Sequence, residues 1–359
     1  MKKHVLAVIL WVSAVAAGLV LPACQPQSGG SLGGAFGVRE LGEGRQEIVD
    51  GVGRRFLLVP EGKSALPGYP PTQIITIPVK RVGAGLPYDI GAMRYLGVLS
   101  DSLVGVIRRE DRWASADVRA GIRSGKIAYL GEPNGIDYER LRVVSPDVML
   151  TSDKRLLPKL DELKIPAIIT TTPMAMTIEE RLQYFYFLAA LFGREEMAKQ
   201  YEAVIQAKLA EVKKQTTSVS RKPKVIWGDI YQKRVLVEPM NSYVAQLVEV
   251  AGGDYLFDDV RGASCLEITL ERFFSSGLQA DIFFTYRSPA VGIDSKQKLI
   301  TENPRLADIK PFKTGLVYCP QPHFYESLER LDDIIVEIAA ILHPQLYQGY
   351  ELQFFQKLD

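Results

Sequence analysis

Short apolar runs and longer helical stripes alternate along most of this chain. Runs at 54–59, 73–77, 79–85, 104–107, 126–130, 148–150 and 167–170 read as strands, the third breaking at Gly83 and Gly85. A helix is predicted over 88–96 and stopped by Gly97. Residues 177–217 differ. Thr177 opens a helix through Phe192, Gly193 interrupts it, and a second helix runs from Arg194 to about Thr217. Met197, Tyr201, Val204, Ile205 and Val212 form its apolar stripe. A helix of roughly 24 residues spans about 36 Å, enough to join two lobes or to lie along one. Strands resume at 224–228, 235–237, 282–285 and 316–319. Helices are expected at 242–250, ended by Gly252-Gly253, and at 331–342, stopped by Pro344. Strand–helix alternation on both sides of a helical middle predicts an α/β fold with mainly parallel sheets covered on both faces.

Two segments repeat one design. Asp137-Tyr138-Glu139-Arg140-Leu141 leads to Ser145-Pro146-Asp147 and the apolar run 148–150. Thr269-Leu270-Glu271-Arg272-Phe273 leads to Ala280-Asp281 and the run 282–284. Each has a capping residue two positions before a glutamate, then a turn, then an aspartate opening a buried strand. The glutamates stand 132 residues apart. The repeat predicts two similar lobes with one carboxylate at an equivalent place on each. A first-turn acid also complements the helix macrodipole, so both roles stay open.

The N-terminus carries Lys2-Lys3, an apolar stretch from Val5 to Val20, and Leu21-Pro22-Ala23-Cys24. This ending resembles a bacterial lipobox, with 1–24 a signal peptide and Cys24 the lipidated residue. An uncleaved anchor and an ordinary signal peptide are the other readings, and all three take the chain out of the cytoplasm. Residues 25–37 are small and polar and read as a tether, which we extend to 45. The domain expectation is a first lobe over 46–176, a helical connector over 177–220 and a second lobe over 221–359.

Composition narrows the function. The 43 basic and 42 acidic residues nearly cancel, which gives no basis for nucleic-acid binding. Only three histidines are present, too few to build a multi-imidazole zinc or manganese site easily. No Cys-x-x-Cys, His-Glu-x-x-His, Gly-x-Ser-x-Gly or phosphate-loop pattern occurs, so the chain reads as a binding protein rather than an enzyme, with no cofactor. Cys265 and Cys319 are equally compatible with a bridge and with two separate thiols.

Lys80-Arg81-Val82, Leu96-Gly97, Leu103–Val106, Glu139-Arg140, Ser145-Pro146-Asp147, Ala251-Gly252-Gly253, Glu271, Ala280-Asp281 and Gly315-Leu316-Val317-Tyr318 occur in an order similar to that of one family. The chain resembles the ABC-transporter substrate-binding proteins of the iron-siderophore, haem and cobalamin type over nearly all of 75–345. The resemblance implies two Rossmann-like lobes joined by one long helix, a ligand in the cleft between them, and docking of Glu139 and Glu271 onto arginines of an ABC permease dimer. It also implies a lipid-anchored, extracytoplasmic protein carrying a metal chelate.

In open α/β lobes, ligand contacts come from loops at the carboxyl ends of strands. That rule selects Tyr88, Arg108, Trp113 and Asp153 in the first lobe. In the second it selects Tyr231, Tyr286, Arg287, His323 and Phe324. Arginines suit anionic chelates, and aromatic rings suit flat chelators or a macrocycle. His323 or a tyrosine is the candidate axial ligand for haem. Siderophore, haem and cobalamin remain open, as does a free-metal receptor.

Overall fold

The computed structural model describes residues 35–359. The signal segment, Cys24 and residues 25–34 of the expected tether lie outside the described residues.

The tether ends earlier than expected. Val38–Gly42 pairs antiparallel with Arg45–Val49, which pairs in turn with Arg55–Pro60. Ile74–Ile77 completes this four-stranded sheet. The runs at 54–59 and 73–77 therefore form a separate sheet with residues from the expected tether. Phe36 is the reason. It is 1% exposed, set edge-on to Tyr184 and Phe187 of the helical middle with ring centroids 5.1 and 5.4 Å away. Burying one such ring contributes roughly 1.5–3 kcal/mol, and the strand follows it into place.

The first lobe holds a five-stranded sheet in the order Ala167–Ile169, Val148–Thr151, Val82–Ala84, Leu103–Val106, Ala128–Tyr129, every pair parallel. Three of these strands are buried along their whole length, as expected for a sheet covered on both faces. The second lobe has a seven-stranded sheet built on Lys224–Tyr231. Ile282–Phe284 and then Val317–Pro320 extend it in parallel, with Phe355–Lys357 antiparallel at that edge. Arg234–Val237 and Leu266–Ile268 run antiparallel on the other side.

The sequence repeat has a structural meaning in both lobes. Asp147 accepts the backbone N–H groups of Lys80 and Arg81 at 3.0 and 2.9 Å, just before Val82–Ala84 begins. Asp281 accepts the N–H of Lys224 at 2.9 Å, where the central second-lobe strand begins. Each aspartate fastens the start of the neighbouring parallel strand and satisfies N–H groups that the ladder leaves open. In the second lobe Arg221 and Lys310 also reach Asp281.

Two antiparallel helices join the lobes. Ile178–Phe192 begins with a capping box between Thr177 and Glu180 and ends at Gly193, whose φ of 62° lies in the left-handed region that glycine adopts without strain. Glu195–Thr216 then runs back for 22 residues. At the first-lobe end, Val79 N–H donates to Leu191 O at 2.8 Å and Gln46 Nε2 donates to Glu195 at 3.3 Å. At the second-lobe end, Ile178 N–H donates to Gln246 at 2.8 Å and Thr216 Oγ1 donates to Val250 O at 3.2 Å. Both helices thus touch both lobes. Tyr201, Ile205 and Val212 of the expected stripe are buried, but Val204 is 47% exposed. Consecutive helical positions point about 100° apart, so Val204 and Ile205 cannot both face the core.

Candidate functional site: the cleft between the lobes

A second-lobe segment closes one side of the cleft. Phe324–Glu326 forms a short turn after Val317–Pro320, and the Glu326 carboxylate crosses to the first lobe. It accepts Ala114 N–H at 2.6 Å and Ser115 N–H at 2.7 Å, at the start of helix Ala116–Arg123. Arg94 donates to Glu326 O at 3.0 Å and to the Glu329 carboxylate at 2.8 Å. Gly91 makes this approach possible: a Cβ there would lie 2.3 Å from Glu329 Oε2 and 2.8 Å from Glu326 O. Burial raises the Glu329 pKa.

The residues singled out by the strand-end rule have distinct surroundings. Arg108 follows Leu103–Val106 with φ 134°, a strained backbone for a side-chain-bearing residue. It is half-buried, and among the described residues its guanidinium makes no hydrogen bond or ion pair. Burial and then Arg112 lower its pKa, against Glu326 and Glu132. Trp113 is 2% exposed, and its indole N–H donates to Arg108 O at 3.2 Å, so it supports that loop from beneath. Tyr88 donates its hydroxyl to Thr170 O. Asp153 is clamped by Arg155 at 2.7 Å, the leading cause of its lowered pKa.

In the second lobe, Arg287 is fully engaged. It donates to Asp229 at 2.7 and 3.0 Å and to Glu302 at 2.7 Å, with Tyr231 stacked 5.1 Å away. Asp229 is 3% exposed, and Arg287 supplies the pairing that a carboxyl group buried this deeply needs. His323 packs beside Phe354 at 6.1 Å, and burial followed by Arg330 lowers its pKa. Tyr286 and Phe324 do come together. With Trp227, Glu238, Tyr243 and Tyr325 they line a cavity of about 30 Å³.

The strand-end rule missed several of these groups. Arg181, from the bridging helix, stacks on Tyr243 at 3.8 Å. Glu238 is 5% exposed and accepts Ser264 Oγ at 2.9 Å, and burial raises its pKa. Asp89 is fully buried, accepts the Tyr184 hydroxyl, and leaves Oδ2 unpartnered. Desolvation pushes its pKa up to about 7. A helix-facing arginine and an acid just after an antiparallel strand fall outside a rule that reads only parallel-strand termini. Cys265 and Cys319 are free thiols, the first exposed and the second buried. Among the described residues no group of three or more His, Cys, Asp or Glu is placed to hold a metal ion.

A larger cavity, about 800 Å³, lies at the opposite end of the second-lobe strands, beside Arg221, Asp281, His343 and Tyr350. Its charged lining is already paired, Asp281 holding both Arg221 and Lys310.

Glu139 and Glu271 occupy matching places. Each is exposed in the first turn of its helix, Tyr138–Val144 or Leu270–Gln279. Asp137 caps the first by accepting Arg140 N–H at 2.8 Å, and Thr269 caps the second by accepting Arg272 N–H at 3.2 Å. Neither glutamate enters an ion pair among the described residues, and none of their helices is long and apolar enough to cross a membrane.

Comparison with known proteins agrees with this architecture. An uncharacterized lipoprotein of Methanocaldococcus jannaschii is 25% identical over 87% of this chain and 78% of its own. An ABC transporter substrate-binding protein from Listeria monocytogenes superposes with a TM-score of 0.57 at 20% identity, over 74% of this chain and 99% of that one. A periplasmic heme binding protein from Pseudomonas aeruginosa gives 0.60 at 16% identity, over 78% and 98%. The sequence profile described as periplasmic binding protein matches residues 88–322, more than half of the chain. The chain belongs to the periplasmic binding protein family.

Proposed function

We propose that the protein is an extracytoplasmic, lipid-anchored substrate-binding protein, not an enzyme, that captures a ferric siderophore or similar metal chelate between its lobes and delivers it to an ABC permease dimer. The observation that carries this reading is the pair of exposed carboxylates, Glu139 and Glu271, without ion pairs among the described residues, one per lobe on equivalent capped helix starts. Exposed carboxylates contribute little to the isolated protein, and gain importance when a partner desolvates them beside its own charges. Inside the cleft, Arg108 supports an anionic or oxygen-rich cargo, because its guanidinium has donors to spare and sits on a strained backbone. Anchoring through Cys24 fits the lipoprotein relative.

Charge reversal tests the delivery step. Glu139→Lys with Glu271→Lys is expected to abolish uptake of the chelate by cells while leaving affinity of the purified protein unchanged. Unchanged uptake would sink the docking role.

Haem is the second reading, favoured by the buried, unpartnered hydroxyl of Tyr286 at the cavity and by the heme-binding Pseudomonas neighbour. Burial holds the Tyr286 phenol well above its usual pKa, which disfavours a phenolate ligand and keeps this reading second. A haemin titration followed in the Soret band separates the two.

A further inference from the structure

Glu238 is a buried carboxylate that forms no ion pair among the described residues. It is 5% exposed, and its hydrogen bonds come from Ser264 at 2.9 and 3.2 Å, with the Cys265 thiol at 4.0 Å. Arg181 is the nearby cation, yet it stacks on the Tyr243 ring at 3.8 Å and forms no ion pair with Glu238. A buried acid normally requires a pairing charge or several hydrogen bonds, since desolvating it alone is strongly unfavourable.

The surroundings specify what would pair with it. Glu238 shares its cavity of about 30 Å³ with Trp227, Tyr243, Tyr286, Phe324 and Tyr325. Tyr286 Oη is inaccessible to solvent and has no hydrogen-bond partner. Thr285 also lines the space; its hydroxyl donates to Asp229 at 2.6 Å and accepts Arg287 N–H at 3.3 Å, which leaves it one acceptor lone pair. Three oxygen acceptors and a wall of aromatic rings match one chemical group. A primary ammonium has three N–H donors, is compact, and is attracted to aromatic faces. The volume suits a head group of one or two heavy atoms, since a single water needs about 10–15 Å³ by the same kind of measure.

We propose that this cavity binds a primary ammonium group on the cargo, so that the chelate carried is an amine-bearing one, its ammonium against Glu238 and Tyr286 and its metal-binding portion toward Arg108. The inference rests on the chelate-binding reading above and narrows it to one substrate class. Arg108 and Glu238 stand on different lobes, so such a ligand would engage both at once and favour the closed arrangement.

The test uses the purified full chain and Trp227 fluorescence. Two probes are compared: a linear ferric trihydroxamate ending in a free amine (ferrioxamine B) and the same chelate with that amine acetylated. The free amine is expected to bind at least about tenfold tighter, as for other desolvated cation–aromatic and charge pairs. Glu238→Gln should remove the difference, and Tyr286→Phe should reduce it while the protein still folds. Propylammonium against propanol, of similar size and neutral, provides a control that needs no chelate. Equal binding of the two chelates overturns the ammonium site and leaves chelate capture standing. If neither chelate binds but propylammonium quenches where propanol does not, the ammonium site stands and the ferric-chelate reading falls. No response to propylammonium or to either chelate overturns the site.

Discussion

Arg108 and Arg287 leave strand ends of opposite lobes in loops that look alike as sequence, yet their surroundings assign them different tasks. Arg287 is saturated by Asp229 and Glu302. Arg287→Ala would strand the buried Asp229 charge and is expected to cost about 3–5 kcal/mol of stability, measured by urea unfolding. Arg108→Ala should leave the unfolding midpoint nearly unchanged and weaken cargo binding by about tenfold or more, the scale of a charge-assisted contact. The strand-end rule found both arginines but could not separate them, because the Asp229 partner lies 58 residues away in sequence. Asp89 makes a second residue-level prediction. Its carboxyl is raised to about 7 by desolvation, so the folded state holds the proton longer than the unfolded chain. Its contribution to stability is therefore greatest below the ordinary aspartate range and falls by up to roughly 1.4 kcal/mol per pH unit as pH rises toward about 7. Asp89→Asn should flatten that decline in urea midpoints between pH 5 and pH 7.5. An unchanged slope would place the effect on the other buried acids, Glu238, Glu329 and Glu337, whose pKa values are also raised by burial.

At the scale of elements, helix boundaries carried the clearest signals. Thr177 opens the helix as expected, with Glu180 completing a capping box that the sequence reading did not single out, and Gly193 takes the left-handed conformation that ends it. Gly193→Ala is expected to destabilise by about 1 kcal/mol, because alanine meets a steric penalty at that positive φ. Thermal unfolding would check it, and no change would mean that the helix end shifts to relieve the strain. Most parallel strands were equally legible, since burial on both faces leaves a continuous apolar run. The pieces that escaped are short or at edges. Asp254–Tyr255, Leu266–Ile268 and Phe355–Lys357 are two or three residues long, too short for any periodicity to register. Val38–Gly42 has no buried position and no strict alternation, and only the distant aromatic anchor of Phe36 on the bridging helix identifies it as structure. The repeated Glu-Arg and Asp elements were visible in sequence, but that Asp147 and Asp281 fasten neighbouring strands depends on strand order, which no local pattern encodes.

Across the whole molecule, the two bridging helices resist hinge bending, while the Glu326 and Glu329 contacts hold the lobes together at the cleft. The cavity lined by Trp227 and Tyr286 holds about 30 Å³, so on the proposed chelate-binding reading a bulky cargo would enter after those contacts release. Glu326→Ala with Glu329→Ala should enlarge the radius of gyration of the ligand-free protein in small-angle scattering and speed cargo association. An unchanged radius would show that the helices alone set the closed arrangement. The central claim is that this cleft captures a metal chelate, and Trp227, which lines the cavity and stacks on Phe284 at 4.4 Å, provides the direct probe. Titrating the folded protein with ferric siderophores, haemin and cobalamin should give saturable quenching at sub-micromolar concentration by a ferric chelate, weakened in Arg108→Ala. Absence of saturable quenching by every one of these compounds would contradict the account.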